Sequence, residues 1–560
     1  MKILLLCHSF NSLTQRLHVE IRDWGHQVSV EFDINDAVTR DAIALFAPDL
    51  VIAPFLKRAI PPDVLARVPC LVVHPGPPGD RGPSALDWAI LEGRLRWGVT
   101  LIEATPELDA GPVWAHRDVA MRLATKSSLY RNEVAHAAVA CVREALDMIA
   151  RGERPPARQP SAAPMRPACR REDRRIDFAR DTTADVLRKI ASADGAPGAP
   201  ARLLGEETLV FDAHEAAGQF GAPGEALARS GPAIAVATRD GAVWIGHARA
   251  AQPRAVKAPA TTFFAGRCAS LPERDGYPAI RCETDGAVAH LHFPFYNGAM
   301  STQDCGALAR AIEDVRRSRP RALVLMGGPD YWSNGLHLGL IETAASPADE
   351  SWANINAMNE CVRALIEADD LLVVAALRGN AGAGGVFLAL AADEVWIRDG
   401  VVLNPHYKDM GNLYGSEYWT YLLPRRVGEE RARAIAAARL PMGAREALRV
   451  GLVDRILPED PAQAETALRA AARGIVEDGD YDSQLTAKAR RRREDEARKP
   501  LAAYLEAELE KMRLNFYGFD PSYHIARHNF IRKIPKSRTP PTLAAHRARP
   551  TARLDKAAAR

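Results

Sequence analysis

Residues 71–84 read Leu71-Val-Val-His74-Pro-Gly-Pro-Pro-Gly79-Asp-Arg-Gly82-Pro-Ser84, and this segment decides how the first part of the chain folds. Three apolar residues predict a buried strand, and the run of proline and glycine after His74 ends it. Ligands of parallel sheets bind at the carboxyl ends of the strands, which is where the pattern places His74. The Pro/Gly loop restricts the backbone and lets it approach a ligand closely.

Strands and helices alternate on both sides of this segment. Apolar runs at 2–7, 27–32, 49–54 and 69–73 predict strands, and periodic stretches at 14–24 and 36–46 predict helices. Strands separated by helices indicate βαβ units, so we expect a Rossmann-like, mainly parallel sheet over residues 1–150.

A carboxylate that suits His74 lies further along the chain, in Leu108-Asp109-Ala-Gly111. An imidazole that donates to a developing oxyanion gains from a carboxylate, because the carboxylate fixes the tautomer and stabilises the charged form. His74 and Asp109 are therefore candidate catalytic residues. The alternative is that His74 is a structural histidine.

Two further places in this half are candidate anion sites. Gln15 and Arg16 follow the first strand and open a helix, whose backbone amides suit an anion. Arg131 in residues 127–131 is a candidate cation for the same purpose. The alternative readings are a capped helix with a solvated arginine and an ordinary surface charge.

The rest of the chain divides by composition. Residues 151–170 are rich in proline and predict a linker, and the short strands that follow predict a small, β-rich, OB-like domain, so that linker and domain together span 151–270. Residues 271–560 alternate strand and helix again, then become helical from 461 to 515. A basic tail follows, in which we expect Arg538, Arg547, Arg549 and Arg553 to be solvated.

Glycine-rich motifs mark a second site. Tyr331–Leu336 follows a predicted strand, Gly379–Asp393 contains Gly-Ala-Gly-Gly, and Ala444–Val453 predicts a helix ended by a glycine. A thioester carbonyl needs two N–H donors for its oxygen, and glycine permits the close approach. Arg527 lies among aromatic residues near the end, where it could meet the phosphates of coenzyme A, or RNA.

Composition excludes several classes of protein. The 560 residues contain 73 Lys and Arg against 70 Asp and Glu, so no global charge attracts nucleic acid or an anionic membrane. The longest apolar stretches, about 12 residues, are too short to cross a bilayer. The eight cysteines form no Cys-x-x-Cys pair and the histidines lack ligand spacing, so we predict no metal and a cytoplasmic location.

The first half resembles the transferases that use 10-formyltetrahydrofolate. Their core is Asn-x-His-Pro after a strand, with a downstream Asp-x-Gly turn, which His74-Pro75 and Asp109–Gly111 match. The resemblance implies that Gly76, Arg81 and Gly82 lie at the folate. Val72 occupies the Asn position, a departure that removes an oxyanion donor. Residues 165–265 are similar to the C-terminal domain of the same transferases.

Residues 278–460 resemble the crotonase superfamily of enoyl-CoA hydratases and isomerases, which implies a ββα spiral fold with a helical C-terminal extension here. By matching position, the amides of Leu336 and Gly384 are the oxyanion donors. The two glutamates of hydratases are replaced by Phe387 and His406, which disfavours water addition. The proton-handling candidates are His406, Tyr414 and Glu417, and the sequence does not rank them.

The fusion as a whole resembles the hydrogenase maturation factors of the HypX/HoxX type. That resemblance implies formyl transfer from 10-formyltetrahydrofolate to coenzyme A, then decarbonylation of formyl-CoA to carbon monoxide for the [NiFe]-hydrogenase. Other hydrogenase maturation proteins would be possible partners, with no nucleic acid and no membrane. Two alternatives stay open: a formyltransferase for an amine or tRNA acceptor, and a non-catalytic, folate-sensing scaffold.

Overall fold

The computed structural model describes residues 1–155, 164–278 and 280–547. Part of the predicted linker, including Pro156 and Pro160, lies outside the described residues, as do Arg549 and Arg553 of the predicted tail. We refer below to the N-terminal region (residues 1–150), the middle region (164–270) and the C-terminal region (280–547).

The N-terminal region is a six-stranded sheet in the order β2-β1-β3-β4-β5-β6. The strands are β1 Lys2–Cys7, β2 Gln27–Phe32, β3 Leu50–Phe55, β4 Cys70–His74, β5 Arg96–Glu103 and β6 Val113–Ala120. The helices are α1 Ser12–Asp23, α2 Asp36–Phe46, α3 Pro62–Leu65, α4 Ala85–Leu91, α5 Lys126–Leu129 and α6 Ala135–Ala150, with a π-helical turn Tyr130–Val134.

The apolar sequence of β1 explains why this strand lies inside the sheet, between β2 and β3. Ile3 and Leu5 pack into one core while Leu4 and Leu6 pack into another on the opposite face of the sheet. A strand covered by helices on both faces reads as a continuous apolar run. The first four strands are parallel, as predicted, whereas β5 is antiparallel to both β4 and β6. The nine residues that join β5 to β6 are too few for a parallel crossover.

The middle region is β-rich, as predicted. Its antiparallel sheet has the order β7-β8-β11-β10-β9, with β12 beside β11. A capping box at Thr182 and Asp185 starts the helix that packs on it. The elements are α7 Thr183–Ala193, β7 Ala199–Leu203, β8 Glu206–Glu215, β9 Ala226–Ser230, β10 Ala233–Ala237, β11 Ala242–Ala250, β12 Ala258–Pro259, α8 Ala260–Phe263 and α9 Ala265–Cys268.

The C-terminal region contains two sheets, ordered β13-β14-β15-β17-β19-β22 and β16-β18-β20-β21. Its strands are β13 Arg281–Asp285, β14 Val288–His292, β15 Ala322–Gly327, β16 Tyr331–Ser333, β17 Leu372–Leu377, β18 Asn380–Gly382, β19 Glu394–Arg398, β20 Val402–Asn404, β21 Met442–Gly443 and β22 Arg455–Leu457. Its helices are α10 Thr302–Arg317, α11 Leu338–Thr343, α12 Pro347–Ile366, α13 Gly384–Leu390, α14 Trp419–Val427, α15 Glu429–Ala438, α16 Ala444–Val450, α17 Pro461–Glu477, α18 Tyr481–Arg498, α19 Leu501–Tyr517 and α20 Ser522–Ile531.

The end of the described chain returns to the N-terminal sheet. The amide of Val30 donates to Leu543 O at 3.0 Å, which covers the edge strand β2. The carboxylate of Glu31 is buried there and pairs with His546 Nε2 at 2.9 Å and Arg547 Nε at 2.6 Å. The expectation that Arg547 is solvated was therefore wrong, because its guanidinium pairs with the buried carboxylate of Glu31, which is far away in sequence. Arg538 is exposed, as expected.

None of the helices in the three described segments is both long and apolar enough to cross a membrane.

We expect Glu31→Gln to lower the free energy of unfolding by about 3 kcal/mol, because it removes the buried negative charge that pairs with Arg547 and bonds to His546. Burial opposes ionisation of Glu31, but bonds from His546, Thr539 and Arg547 outweigh it and lower its pKa. The contribution is therefore present above pH 4.5, the carboxyl group's ordinary pKa, and is lost as the pH falls. Thermal unfolding across pH measures both effects, with the exposed Glu153→Gln as control; equal stability of the two variants at pH 7 would contradict the prediction.

Candidate active sites

His74 ends β4 and is buried between two carboxylates. Its Nε2 lies 2.9 Å from Asp80 Oδ2, and its Nδ1 lies 3.7 Å from Asp109 Oδ1. The structure thus brings the predicted His74 and Asp109 together. The hydrogen bond to Asp80 orients the ring, and an oriented imidazole N–H is a suitable donor to a developing oxyanion.

The loop after His74 is held in one arrangement. Trp97 Nε1 donates to Pro75 O at 2.8 Å and Thr100 Oγ1 donates to Gly76 O at 2.7 Å. A Cβ at Gly76 would lie only 2.5 Å from both His74 Nε2 and Asp80 Oδ2. Residue 76 therefore has to be glycine for the His74–Asp80 bond to form.

Arg81 and Gly82, predicted to contact the folate, support Asp109 in the structure. Arg81 Nη2 donates to Leu108 O at 3.0 Å, and the Gly82 amide donates to Asp109 Oδ2 at 3.0 Å. Asp109 itself has φ +54°, in the left-handed region. These contacts fix the turn that presents the Asp109 carboxylate to His74.

Sequence reasoning missed Asp80. The signal was present, because an aspartate six residues after a strand-end histidine, beyond a Pro/Gly turn, can fold back onto the ring. Val72, the departure from the formyltransferase pattern, lies within β4 in register with Ala53 and Ile102.

The second site forms where two glycine-bearing loops meet. Gly384 begins α13, so its N–H is one of the first-turn amides without an intrahelical partner. A Cβ built on Gly335 would lie 3.4 Å from Gly384 N, so the loop carrying Leu336 approaches that amide closely. This arrangement suits two backbone donors for one carbonyl oxygen.

Glu417 is the candidate whose carboxylate reaches this site. Its Oε1 would be 2.2 Å from a Cβ on Gly384, so the two residues are in direct contact. Its Oε2 accepts from Tyr407 OH at 2.6 Å and from the Ser416 amide at 3.0 Å. Burial raises the pKa of Glu417 to about 7 against these bonds, and the nearby Glu508 carboxylate adds to the rise.

The other two proton-handling candidates are placed differently. His406 is buried, burial lowers its pKa, and its Nδ1 has no hydrogen-bond partner among the described residues. Tyr414 is 38% exposed and packs against Trp419 at 5.5 Å between ring centres. Phe387, which replaces the first hydratase glutamate, stacks on Tyr407 at 5.2 Å. The bond from the Tyr407 hydroxyl to Glu417 is not evident from the sequence.

Gln15, Arg16 and Arg131 lie where the N-terminal and C-terminal regions meet. Gln15 Oε1 accepts from Asn404 Nδ2 at 3.0 Å, and Arg16 Nη2 pairs with Glu459 Oε1 at 2.9 Å. The guanidinium of Arg131 lies 4.2 Å from the centre of the Tyr331 ring. Its buried Nε has no hydrogen-bond partner in the described part of the chain.

Arg527 is engaged within the protein. It is buried, its Nε donates to Glu342 Oε2 at 3.1 Å, and its Nη1 lies 2.8 Å from His524 Nδ1. Across residues 1–155, 164–278 and 280–547, no three His, Cys, Asp or Glu side chains are grouped to hold a metal.

Comparison with known proteins identifies the family. Residues 26–146 match the formyl transferase family, 169–267 match the formyl transferase C-terminal domain, and 284–516 match the enoyl-CoA hydratase/isomerase family. The hydrogenase maturation factor HoxX of Bradyrhizobium diazoefficiens is 57% identical over 98% of both chains. The chain belongs to the HypX/HoxX family of hydrogenase maturation factors.

A solved member of the family supports the fold over its whole length. HypX from Aquifex aeolicus in complex with tetrahydrofolic acid is 45% identical, with a TM-score of 0.95 over 98% of this chain and 99% of that one. Methionyl-tRNA formyltransferase of Myxococcus xanthus is 32% identical over 35% of this chain and 64% of its own. The predicted family and fold are confirmed.

We expect Asp80→Asn to slow formyl transfer from 10-formyltetrahydrofolate by about 100-fold. The variant removes the carboxylate charge that orients the His74 ring and its N–H donor. Folate absorbance during turnover measures the rate, and Asp118→Asn on the exposed part of β6 is the control. A rate equal to that of the control would remove Asp80 from the site.

Proposed function

We propose that this hydrogenase maturation factor makes carbon monoxide in two steps, from 10-formyltetrahydrofolate through formyl-CoA. The observation that carries the proposal is the buried Glu417 carboxylate against Gly384. It places a group with a pKa of about 7 beside the expected oxyanion donors of the second site. A hydratase needs two carboxylates that manage water, whereas the position of the first is occupied here by Phe387, which stacks on Tyr407.

His74 serves the first step. As the sulfur of coenzyme A attacks the formyl carbon, an N–H of His74 donates to the oxygen that becomes negative, and Asp80 and Asp109 orient the ring. The bond between formyl carbon and folate nitrogen then breaks, and the thiol proton ends on that nitrogen. The products are tetrahydrofolate and formyl-CoA, so atoms and charge balance.

Glu417 serves the second step. The amides of Leu336 and Gly384 hold the formyl oxygen, and the Glu417 carboxylate accepts the formyl proton. The carbon–sulfur bond breaks with its electron pair going to sulfur, carbon monoxide leaves, and the proton passes from Glu417 to the thiolate. A base with a pKa near 7 suits both transfers at neutral pH.

The junction of the two regions is the proposed place for coenzyme A. Arg131 has an unused buried donor there, and Gln15 touches Asn404, whose carbonyl accepts from the amide of Ala383 at 3.0 Å. Ala383 precedes Gly384, so a molecule bound between the regions could reach the second site. The folate of the first step corresponds in chemistry to the tetrahydrofolic acid held by HypX from Aquifex aeolicus.

Anaerobic incubation with 10-formyltetrahydrofolate, with and without coenzyme A, tests the function, and haemoglobin absorbance reports carbon monoxide. We expect carbon monoxide only when coenzyme A is present. Formyl-CoA without carbon monoxide would refute the second step. Folate turnover with neither product would favour another acceptor, such as an amine or tRNA, and no turnover at all would favour a non-catalytic scaffold.

Two variants separate the steps. We expect His74→Ala to abolish folate-dependent turnover while added formyl-CoA still releases carbon monoxide, because His74 belongs to the N-terminal sheet. Glu417→Gln should keep folate-dependent turnover but abolish the release of carbon monoxide. Formyl-CoA should then accumulate, which chromatography measures. If either variant lowers both activities equally, the two steps do not occur at separate sites.

A further inference from the structure

Glu508 is a second buried carboxylate near Glu417, and the proposed reaction leaves it without a role. It lies on α19, in the helical extension outside the two sheets of the C-terminal region. Its side chain is completely buried. A buried carboxylate is costly unless its oxygens are hydrogen-bonded, so its surroundings show what it holds.

The four donors to Glu508 come from one turn. Oε2 accepts from the Tyr418 amide at 3.0 Å and Ser416 Oγ at 3.3 Å, while Oε1 accepts from the Thr420 amide at 2.9 Å and Thr420 Oγ1 at 2.6 Å. Tyr418 is the N-cap residue of α14 and provides no side-chain cap. Glu508 therefore caps α14 from another helix.

The turn held by Glu508 is strained. Glu417 and Tyr418 are consecutive residues with φ of +60° and +56°. A non-glycine residue in this left-handed region is strained, because its Cβ comes too close to the following carbonyl oxygen. Other hydrogen bonds also hold this backbone, among them the Glu417 amide to Asn359 Oδ1 at 2.7 Å and the Tyr407 hydroxyl to the Ser416 carbonyl at 3.0 Å. Glu508 therefore supports the turn that directs the Glu417 side chain, together with these bonds.

The two carboxylates also interact through charge. Ser416 bridges them, with its amide on Glu417 and its hydroxyl on Glu508. Burial raises the pKa of Glu508 to about 7 despite its four donors. The other titratable groups facing Glu417 are the Tyr407 phenol and the Cys305 thiol. Burial keeps the Tyr407 pKa high, and the Cys361 contact together with burial does so for Cys305, so both are neutral at pH 7.

We propose that Glu508 is a positioning residue for the formyl-CoA step, which aims Glu417 at Gly384 and, through its negative charge, makes Glu417 a stronger proton acceptor. This inference rests on the proposed role of Glu417. The inference assigns the helical extension a role in the reaction. Glu508 on α19 provides both the carboxylate next to Glu417 and the side-chain cap of α14 that Tyr418 does not provide.

The pH dependence of carbon monoxide release from added formyl-CoA tests this role. Glu508→Gln keeps the shape of the side chain but removes its charge, so the acid limb should move to lower pH by about one unit. The control is Glu506→Gln, an exposed residue on the same helix, which should leave the profile unchanged. A lower rate at every pH with an unmoved midpoint would mean that Glu508 is only structural, and would overturn the proposal.

Infrared titration of the carboxyl C=O stretch gives a readout that does not need activity. The band absent from Glu417→Gln identifies Glu417, and its midpoint should fall in Glu508→Gln. An unchanged midpoint overturns the inference even if the variant is inactive. If the native protein releases no carbon monoxide from formyl-CoA, the proposed function fails, and the role inferred for Glu508 in that step fails with it; a shifted Glu417 midpoint would then support only the electrostatic coupling of the pair.

Discussion

The contact between α1 and the C-terminal region is the constraint on which the arrangement of the two sites depends. Arg16 is buried and pairs with both Glu20 on its own helix and Glu459 across the junction. Gly400 has φ +92°, and a Cβ there would meet the Arg16 guanidinium at 1.7 Å. A side chain at residue 400 would therefore displace the Arg16 guanidinium from this position. An arginine at such a place keeps its charge paired in several directions because its donors are spread over a planar fork.

This junction has a consequence for the chemistry. A reactive thioester that is made at one site and consumed at another is lost to water if it must diffuse through solvent. Gln15 follows β1 of the N-terminal region and bonds to Asn404, which borders the loop of Gly384. The beginning of the chain thus takes part in building the surroundings of the second site. The segment around Leu543 adds a second connection by covering β2.

The two sites use buried carboxylates in contrasting ways. At His74, two carboxylates flank an imidazole. At Glu417, the neighbour is another carboxylate, so burial and like charge both favour the protonated form. A carboxyl group thus orients an imidazole in one place and has a pKa near neutrality in the other, because its surroundings differ.

The sequence by itself determined the family, the order of the three fold units, the pairing of His74 with Asp109 and the glycine loops of the second site. These depend on local pattern: apolar periodicity, Pro/Gly punctuation, and glycines where the backbone must approach closely. Glu417 was one of three candidates, since spacing along the chain does not say which side chain turns inward.

Other contacts are set by packing in three dimensions. Tyr407 bonds to Glu417, and Glu508 bonds to the turn from about ninety residues away. The tail is a further example of a contact that local pattern does not predict. The composition around Arg547 predicts solvation, but its partner Glu31 lies at the other end of the chain. Burial of a charge is a property of the assembled fold, and a one-dimensional pattern carries no measure of it.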